Sequence, residues 1–118
     1  MAQTDRLIID FSELDWTGPG AARISHEGAM PAEIVASLLM RVIRSGAQRA
    51  VDGAPLEPVS FNLDTTAPAS SKGVTCFDCE IDRRTRTLVF AHGSAHLEER
   101  TLMTATAVYR IAGQGSQG

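Results

Sequence analysis

The fold of this chain follows from one stretch of its sequence, Ser25-His-Glu-Gly-Ala-Met-Pro-Ala-Glu-Ile-Val-Ala-Ser-Leu-Leu-Met-Arg-Val-Ile-Arg-Ser-Gly46. Pro31 suits the first turn of an α-helix, where a backbone N–H has no partner inside the helix. Gly46 is a common stop after the last apolar residue. The side chains between them are mostly apolar, namely Ile34, Val35, Ala36, Leu38, Leu39, Met40, Val42 and Ile43. A helix this apolar cannot lie on a surface, so we expect the rest of the chain to wrap around it.

Four polar side chains interrupt the apolar surface of the predicted helix. They are Glu33, Ser37, Arg41 and Arg44. Their spacing of four, four and three residues places them on one narrow stripe. We call this set the polar stripe.

Length and composition predict one ordinary globular domain. The chain has 118 residues and a formal net charge of −3, which argues against a general nucleic-acid or anionic-membrane surface. It has no apolar run near the ~20 residues that span a bilayer, and we find no secretory signal before the first predicted strand. We therefore expect a cytoplasmic protein with a single domain over residues 1–112 and a flexible tail over 113–118.

The residues before the helix predict one strand and one loop. Residues 6–11 are β-branched and aromatic, which is typical of a strand. Residues 12–23 contain Gly18, Pro19 and Gly20, so we expect a loop there. A polar link over 47–56 follows the helix.

From Glu57 onward the apolar period changes from 3.6 to 2, which predicts strands. Val59, Phe61 and Leu63 alternate with polar residues in the first of them. Further strands are predicted over 74–81, 88–97 and 102–111, joined by hairpins at 82–85 and 98–100. The last strand places four side chains on one face: Met103, Ala105, Ala107 and Tyr109.

This order of elements predicts an α+β fold in which an antiparallel sheet wraps around one long central helix. A single helix cannot cover both faces of such a sheet. The outer positions are partly apolar, so we expect a homodimer or a homotetramer.

The cysteines and histidines give weak metal signals. Cys76 and Cys79 form one Cys-x-x-Cys pair, whereas zinc sites usually need two pairs or added histidines. Residues three apart in a strand point to opposite faces, so the favoured interpretation is two reduced structural thiols. His92 and His96 lie about 13 Å apart in a strand, which excludes a shared metal. No metal and no cofactor is expected.

His26-Glu27-Gly28, directly before the apolar helix, resembles the His-Gly-Gly segment of the hotdog-fold thioesterases. The resemblance is closest to the phenylacetate-pathway and 4-hydroxybenzoyl-CoA type. Residues 58–69 are similar to the family's strand that ends in an Arg-Pro-Ala-like turn. The closing strands, the last over 101–110, agree in length and order. The resemblance covers roughly residues 20–111 and implies the hotdog fold.

The resemblance also implies a chemistry, the hydrolysis of an acyl thioester of coenzyme A or of a carrier protein. The thioester carbonyl would face the N-terminus of the central helix, where backbone N–H groups around Gly28 stabilise negative charge on oxygen. A carboxylate would act as the base or nucleophile, with Glu33 and Glu27 as the candidates. The family's acidic position falls on Val35, and Glu27 replaces its first glycine. These two departures favour an alternative, a non-catalytic hotdog module that binds an acyl or aromatic ligand.

Each candidate residue also has a structural interpretation. The helix macrodipole alone favours Glu33 in a first turn, and Glu27 is compatible with an exposed loop. His26 is a candidate for catalysis or for orienting the loop through a backbone hydrogen bond. The remaining candidates are polar groups for substrate or water (Ser37, Asn62 and Asp64) and arginines for the phosphates of coenzyme A (Arg83, Arg84 and Arg86). Either group is also compatible with a solvated surface.

Overall fold

The computed structural model describes residues 11–69 and 71–112 and contains one sheet and one long helix. A short 3-10 turn, Phe11–Glu13, comes first. The elements that follow are β1 (Asp15–Gly18), β2 (Ala21–His26), α1 (Ala32–Ala50), β3 (Leu56–Thr65), β4 (Gly73–Arg84), β5 (Leu88–Leu97) and β6 (Arg100–Ile111). The strand order in the sheet is β1-β2-β4-β5-β6-β3, and every pairing is antiparallel. The predicted tail over 113–118 lies outside the described residues.

The core lies between α1 and one face of the sheet. Seven helix side chains are buried there: Ile34, Val35, Leu38, Leu39, Val42, Ile43 and Ala47. The sheet contributes the predicted face of β6, since Met103, Ala105, Ala107 and Tyr109 are all buried. The α+β arrangement of an antiparallel sheet around one central helix is therefore confirmed. No helix in the described part of the chain is long and apolar enough to cross a membrane.

The helix does not stop at Gly46, as the sequence predicted, but continues to Ala50. Gly46 is instead a point of close approach. A Cβ at this position would lie 2.8 Å from the Cys79 Sγ and 3.3 Å from the Gly20 Cα. A side chain at position 46 would collide with β4 and with the β1–β2 turn. The glycine is therefore required by close packing of α1 and not by a helix end.

The predicted loop over 12–23 is wrong, because most of it forms a β-hairpin. β1 pairs with β2 through Asp15 and Arg23, with an irregularity between Trp16 and Gly18. The turn uses Gly20 at φ +72°, a conformation that favours glycine. β1 has four residues and no apolar alternation, so its backbone pairing left no sequence signal. Of the strand predicted over 6–11, residues 6–10 lie outside the described residues and Phe11 begins the 3-10 turn.

The charged hairpin predicted over 82–85 is shorter than expected, because β4 continues to Arg84. β2 pairs with β4 only as far as Asp78, so the second half of β4 has one neighbouring strand and is largely exposed. Charged side chains are tolerated in such an edge segment. Thr85 closes the true turn, since its hydroxyl accepts the Leu88 N–H at 3.0 Å.

Candidate functional site

The start of α1 carries backbone N–H donors that have no partner among residues 11–69 and 71–112. Pro31 is the N-cap residue and provides no side-chain cap. Its carbonyl accepts the N–H groups of Ile34 and Val35 at 3.0 and 3.2 Å. Among the described residues, the N–H groups of Ala32 and Glu33 have no acceptor. These donors, with the positive end of the helix dipole, form an electropositive helix start that favours a negatively charged oxygen.

A small cleft opens beside this helix start, with a volume of about 210 Å³. We call it the N-terminal cleft; its lining residues are Ala32, Val35, Thr65, Thr66, Ala67, Pro68, Ala69, Leu102 and Met103. Its outer wall is the turn after β3, which is fixed by a hydrogen bond from the Met30 N–H to the Ala69 carbonyl at 2.8 Å. Sequence reasoning did not single out Thr65 and Thr66; the available signal was a pair of hydroxyls directly before the Ala67-Pro68 turn.

A larger groove follows the N-terminal cleft along the junction between α1 and β3. Its volume is about 380 Å³, and we call it the helix groove; it is lined by Ser37, Met40, Arg41, Arg44, Pro58, Phe61 and Tyr109. β3 runs antiparallel to α1, because Arg44 Nη2 donates to the Leu56 carbonyl at 3.0 Å while Thr65 lies in the cleft beside Ala32. Cleft and groove are therefore successive parts of one junction, and three residues of the polar stripe line the second part.

The candidate carboxylates lie near the helix start but outside the N-terminal cleft. Glu33 is exposed in the first turn of α1, and its carbonyl accepts the Ser37 hydroxyl at 3.0 Å. Glu27 is exposed in the connection before the helix, next to the half-buried Gly28. Val35 is only 2% exposed and lines the cleft itself. Among the described lining residues, the cleft contains no carboxylate, imidazole or thiol.

His26 occupies a structural position at the end of β2. Its side chain is 7% exposed, with Nδ1 2.8 Å from the Gly28 carbonyl oxygen and Nε2 2.7 Å from the Thr75 hydroxyl. A carbonyl oxygen only accepts, so Nδ1 donates to it, while Nε2 shares a hydrogen bond with the Thr75 hydroxyl. Both ring nitrogens are used inside the protein. This geometry favours the interpretation that His26 orients the connection to the helix.

Replacement of His26 by Leu is expected to lower the free energy of unfolding by about 2 kcal/mol, because it leaves the fully buried Thr75 hydroxyl without its partner. Urea denaturation of His26→Leu, Thr75→Val and the double variant measures this. The double variant should lose less than the sum of the two single variants, by about 1 kcal/mol. Additive losses would show that the bond contributes nothing.

Asn62 and Asp64 share a face of β3, but that face is the one turned away from α1. Phe61 and Leu63 pack against the core, so the alternating polar residues point outward. Asn62 and Asp64 line a separate hollow of about 350 Å³ on the outer face of the sheet. The structure therefore does not bring them to the helix start.

The histidines of β5 face the same outer side and are paired with carboxylates of β4. His92 Nδ1 lies 2.7 Å from Asp82 Oδ1, and His96 Nε2 lies 2.9 Å from Asp78 Oδ2. Across residues 11–69 and 71–112, no three His, Cys, Asp or Glu side chains are grouped so that they could hold a metal ion.

Cys76 and Cys79 are free thiols on opposite faces of β4, as their spacing predicted. Cys79 packs under α1, where its Sγ lies 3.7 Å from the Ile43 carbonyl oxygen. Burial raises the pKa of the Cys79 thiol to about 11, with a further contribution from the negative charges of Asp78, Asp82 and Glu80. The thiol is therefore protonated at neutral pH, which fits a structural role.

The three candidate arginines lie at the far end of the sheet. Arg83 and Arg84 end β4, Arg86 lies in the following turn, and the Arg83 guanidinium stands 5.7 Å from the centre of the Phe90 ring. The other end of β4, Gly73, pairs with His26 close to the helix. At about 3.3 Å per residue, the arginines lie roughly 35 Å along the strand from that end. One chain therefore does not place them at its own N-terminal cleft.

Comparison with models of protein families and with curated proteins finds no match to this sequence. Solved structures do match it. Zebrafish thioesterase superfamily member 2 superposes with a TM-score of 0.70 at 14% identity, over 84% of this chain and 80% of that chain. A phenylacetic acid degradation-related protein from Ralstonia eutropha JMP134 gives 0.67 at 17% identity, over 83% of each chain. A Bacillus halodurans protein solved with CoA gives 0.68 at 14% identity, over 82% and 70%.

The sheet order and the helix across one face of the sheet agree with these similarities. Together they place the chain in the α+β class, with a central helix wrapped by an antiparallel sheet. More narrowly, the chain has the hotdog fold. The predicted resemblance to hotdog-fold thioesterases is thus confirmed at the level of the fold.

Proposed function

We propose that this protein binds an acyl thioester of coenzyme A or of an acyl carrier protein, with the thioester carbonyl at the start of α1, and hydrolyses it. The observation that carries the proposal is the uncapped helix start beside the N-terminal cleft. The N–H groups of Ala32 and Glu33 would donate to the carbonyl oxygen as it gains negative charge in the tetrahedral intermediate. The matching fold of a protein solved with CoA supports the same ligand class.

Glu33 is the proposed base, with Glu27 as the second candidate. Glu33 lies on the polar stripe at the second position of α1, so its carboxylate is near the same helix start. It would take a proton from water while the water oxygen attacks the thioester carbon. The C–S bond then breaks, and the protonated carboxyl returns the proton to the departing thiolate. No cofactor is required for this step.

We further propose that the active form is a homodimer or homotetramer. Within the described residues β3 is a ten-residue strand at the edge of the sheet and is paired on one side only, and a long free edge is a site for pairing with another chain. If Arg83, Arg84 and Arg86 bind the phosphates of coenzyme A, a second copy has to supply them, because one chain holds them far from its own cleft.

A second candidate function is binding of an acyl or aromatic ligand without hydrolysis. The observation that favours it is Val35, whose side chain lines the N-terminal cleft at the position where an acidic residue was expected. The described residues that line the cleft include no carboxylate. They provide apolar contacts for a ligand but no base for its hydrolysis.

Thiol release from a panel of acyl-CoAs with short, long and aromatic acyl groups separates the two functions, together with calorimetric titration of each ester. We expect turnover of at least one ester. Saturable binding of esters without thiol release would support the binding module instead, and absence of both binding and release would contradict the whole proposal.

A further inference from the structure

Tyr109 is a buried phenol without a hydrogen-bond partner. The residue is 3% exposed, yet within the described chain its hydroxyl neither donates to nor accepts from any group. The hydroxyl is not sealed in the core, because Tyr109 lines the helix groove and the described residues contain no enclosed side-chain oxygen without a partner. A buried tyrosine hydroxyl normally has a partner. Its orientation toward the groove points to an acceptor that comes from outside the chain.

A positively charged side chain lies near this hydroxyl. The half-buried Arg44 guanidinium lies close enough to Tyr109 to act on the titration of its phenol, and it is fixed by the hydrogen bond to the Leu56 carbonyl. Arg41 lines the same groove one helical turn earlier. No acidic side chain is among the described residues of the groove lining. An acceptor that meets these groups is therefore best matched by an anion, and a carboxylate suits the planar donors of a guanidinium.

The rest of the groove is suited to an apolar chain. Met40, Pro58 and Phe61 form its walls, and Met40 is 43% exposed although it is apolar. The volume of about 380 Å³ lies within the range of small-molecule sites. Along the axis of α1, the distance from Glu33 to Arg44 is about 16 Å. A ligand that reaches both ends would need an extended chain.

We propose that the helix groove selects acyl groups that carry a second carboxylate at the end remote from the thioester, and that Tyr109 and Arg44 bind this carboxylate. The proposal rests on the proposed function, since the thioester end is placed at the helix start. The Tyr109 hydroxyl donates one hydrogen bond to the carboxylate, and the Arg44 guanidinium donates a second, ion-paired one.

The protonation state of Tyr109 agrees with the role of a donor. Burial raises the pKa of the Tyr109 phenol above its ordinary value, an effect that the positive charge of Arg44 opposes in part. Because the net shift is upward, the phenol keeps its proton at neutral pH and below.

The test compares two esters of equal chain length, dodecanedioyl-CoA and dodecanoyl-CoA, which differ only in the terminal carboxylate and whose extended chains are long enough for the distance along α1. Titration calorimetry on the full chain should show dodecanedioyl-CoA binding at least about tenfold more tightly, the scale of one hydrogen bond to a charged group. Tyr109→Phe and Arg44→Met should each remove most of that preference, with a much smaller effect on dodecanoyl-CoA affinity. Arg110→Met is the matched control, because Arg110 pairs with Glu57 away from the groove.

The other outcomes distinguish failure of the carboxylate proposal from failure of the proposed function. Equal affinity for the two esters, or equal losses for both in Tyr109→Phe, would overturn the carboxylate proposal while the proposed function stands. Binding of neither ester would contradict both. Tyr109→Phe should unfold at the same temperature as the wild type, since the hydroxyl has no internal partner. A change of oligomeric state by light scattering in Tyr109→Phe or Arg44→Met would show that a second copy fills the groove, and would overturn the proposal.

Discussion

Replacement of Glu33 by Gln is expected to slow thioester hydrolysis by about 100- to 10,000-fold, which is the usual contribution of a positioned general base. The amide keeps the size and the hydrogen-bonding capacity of the side chain but accepts no proton from water. Glu33 is exposed and its backbone carbonyl, not its carboxylate, bonds to Ser37. The variant should therefore fold normally, with a loss of at most about 1 kcal/mol from the helix-dipole interaction.

The measurement is thiol release at saturating and at limiting acyl-CoA, together with the Kd of the ester. We expect kcat to fall and Kd to stay near the wild-type value, because the carboxylate acts in the chemical step. Glu99→Gln, in the exposed turn between β5 and β6, is the matched control for the loss of one negative charge. Unchanged turnover in Glu33→Gln with a loss in Glu27→Gln would move the base to Glu27. Full activity in both variants would leave Glu33 with only its helix-dipole role.

Side-chain periodicity was sufficient to predict most of the fold. The helix from Pro31, the face of β6 that contains Tyr109 and the bounds of β5 all follow from apolar spacing, because each of these elements buries one face against the core. The resemblance of residues 26–28 and 58–69 to the hotdog-fold thioesterases then indicated how the elements assemble.

Features that depend on backbone contacts could not be predicted from the sequence. β1 is held by pairing with β2 and has no apolar alternation, so its residues gave only a turn signal. Gly46 is a residue type that often ends a helix, but in the structure it allows α1 to approach Cys79 closely. A local rule cannot distinguish these two uses, since the difference lies in an element more than thirty residues away.

The site was predictable only in its helical part. Glu33 and Ser37 lie on the expected stripe. The sequence could not show which face of β3 turns toward α1, so it left open whether Asn62 and Asp64 line the site or a solvated face, and the structure places them on the outer face. Tyr109 lines the helix groove together with residues of the polar stripe. It belongs to the last strand, and the sequence assigned it only to the core. Its open hydroxyl becomes visible when α1 and β6 are brought together.

Replacement of Gly93 by Ala is expected to lower the free energy of unfolding by about 3 kcal/mol, the upper part of the range for overpacking a core. Gly93 lies in β5 where α1 crosses the sheet. A Cβ there would stand 2.5 Å from the Asp78 carbonyl oxygen and 2.7 Å from the Ile43 Cγ1. The first contact is with backbone of the paired strand and the second with a fully buried side chain, so neither neighbour can move cheaply.

Thermal and urea denaturation measure this loss, with an expected fall in Tm of about 10 °C for a domain of this size. Gly18→Ala is the matched control, because a Cβ at Gly18 would meet nothing within 4 Å. A Gly93→Ala variant as stable as Gly18→Ala would show that α1 shifts away from the sheet without cost. Such a shift would widen the junction between α1 and β3, so ester affinity should then change although stability does not. Loss of stability with unchanged affinity in the remaining folded protein would instead show that α1 is held at a fixed distance from the sheet.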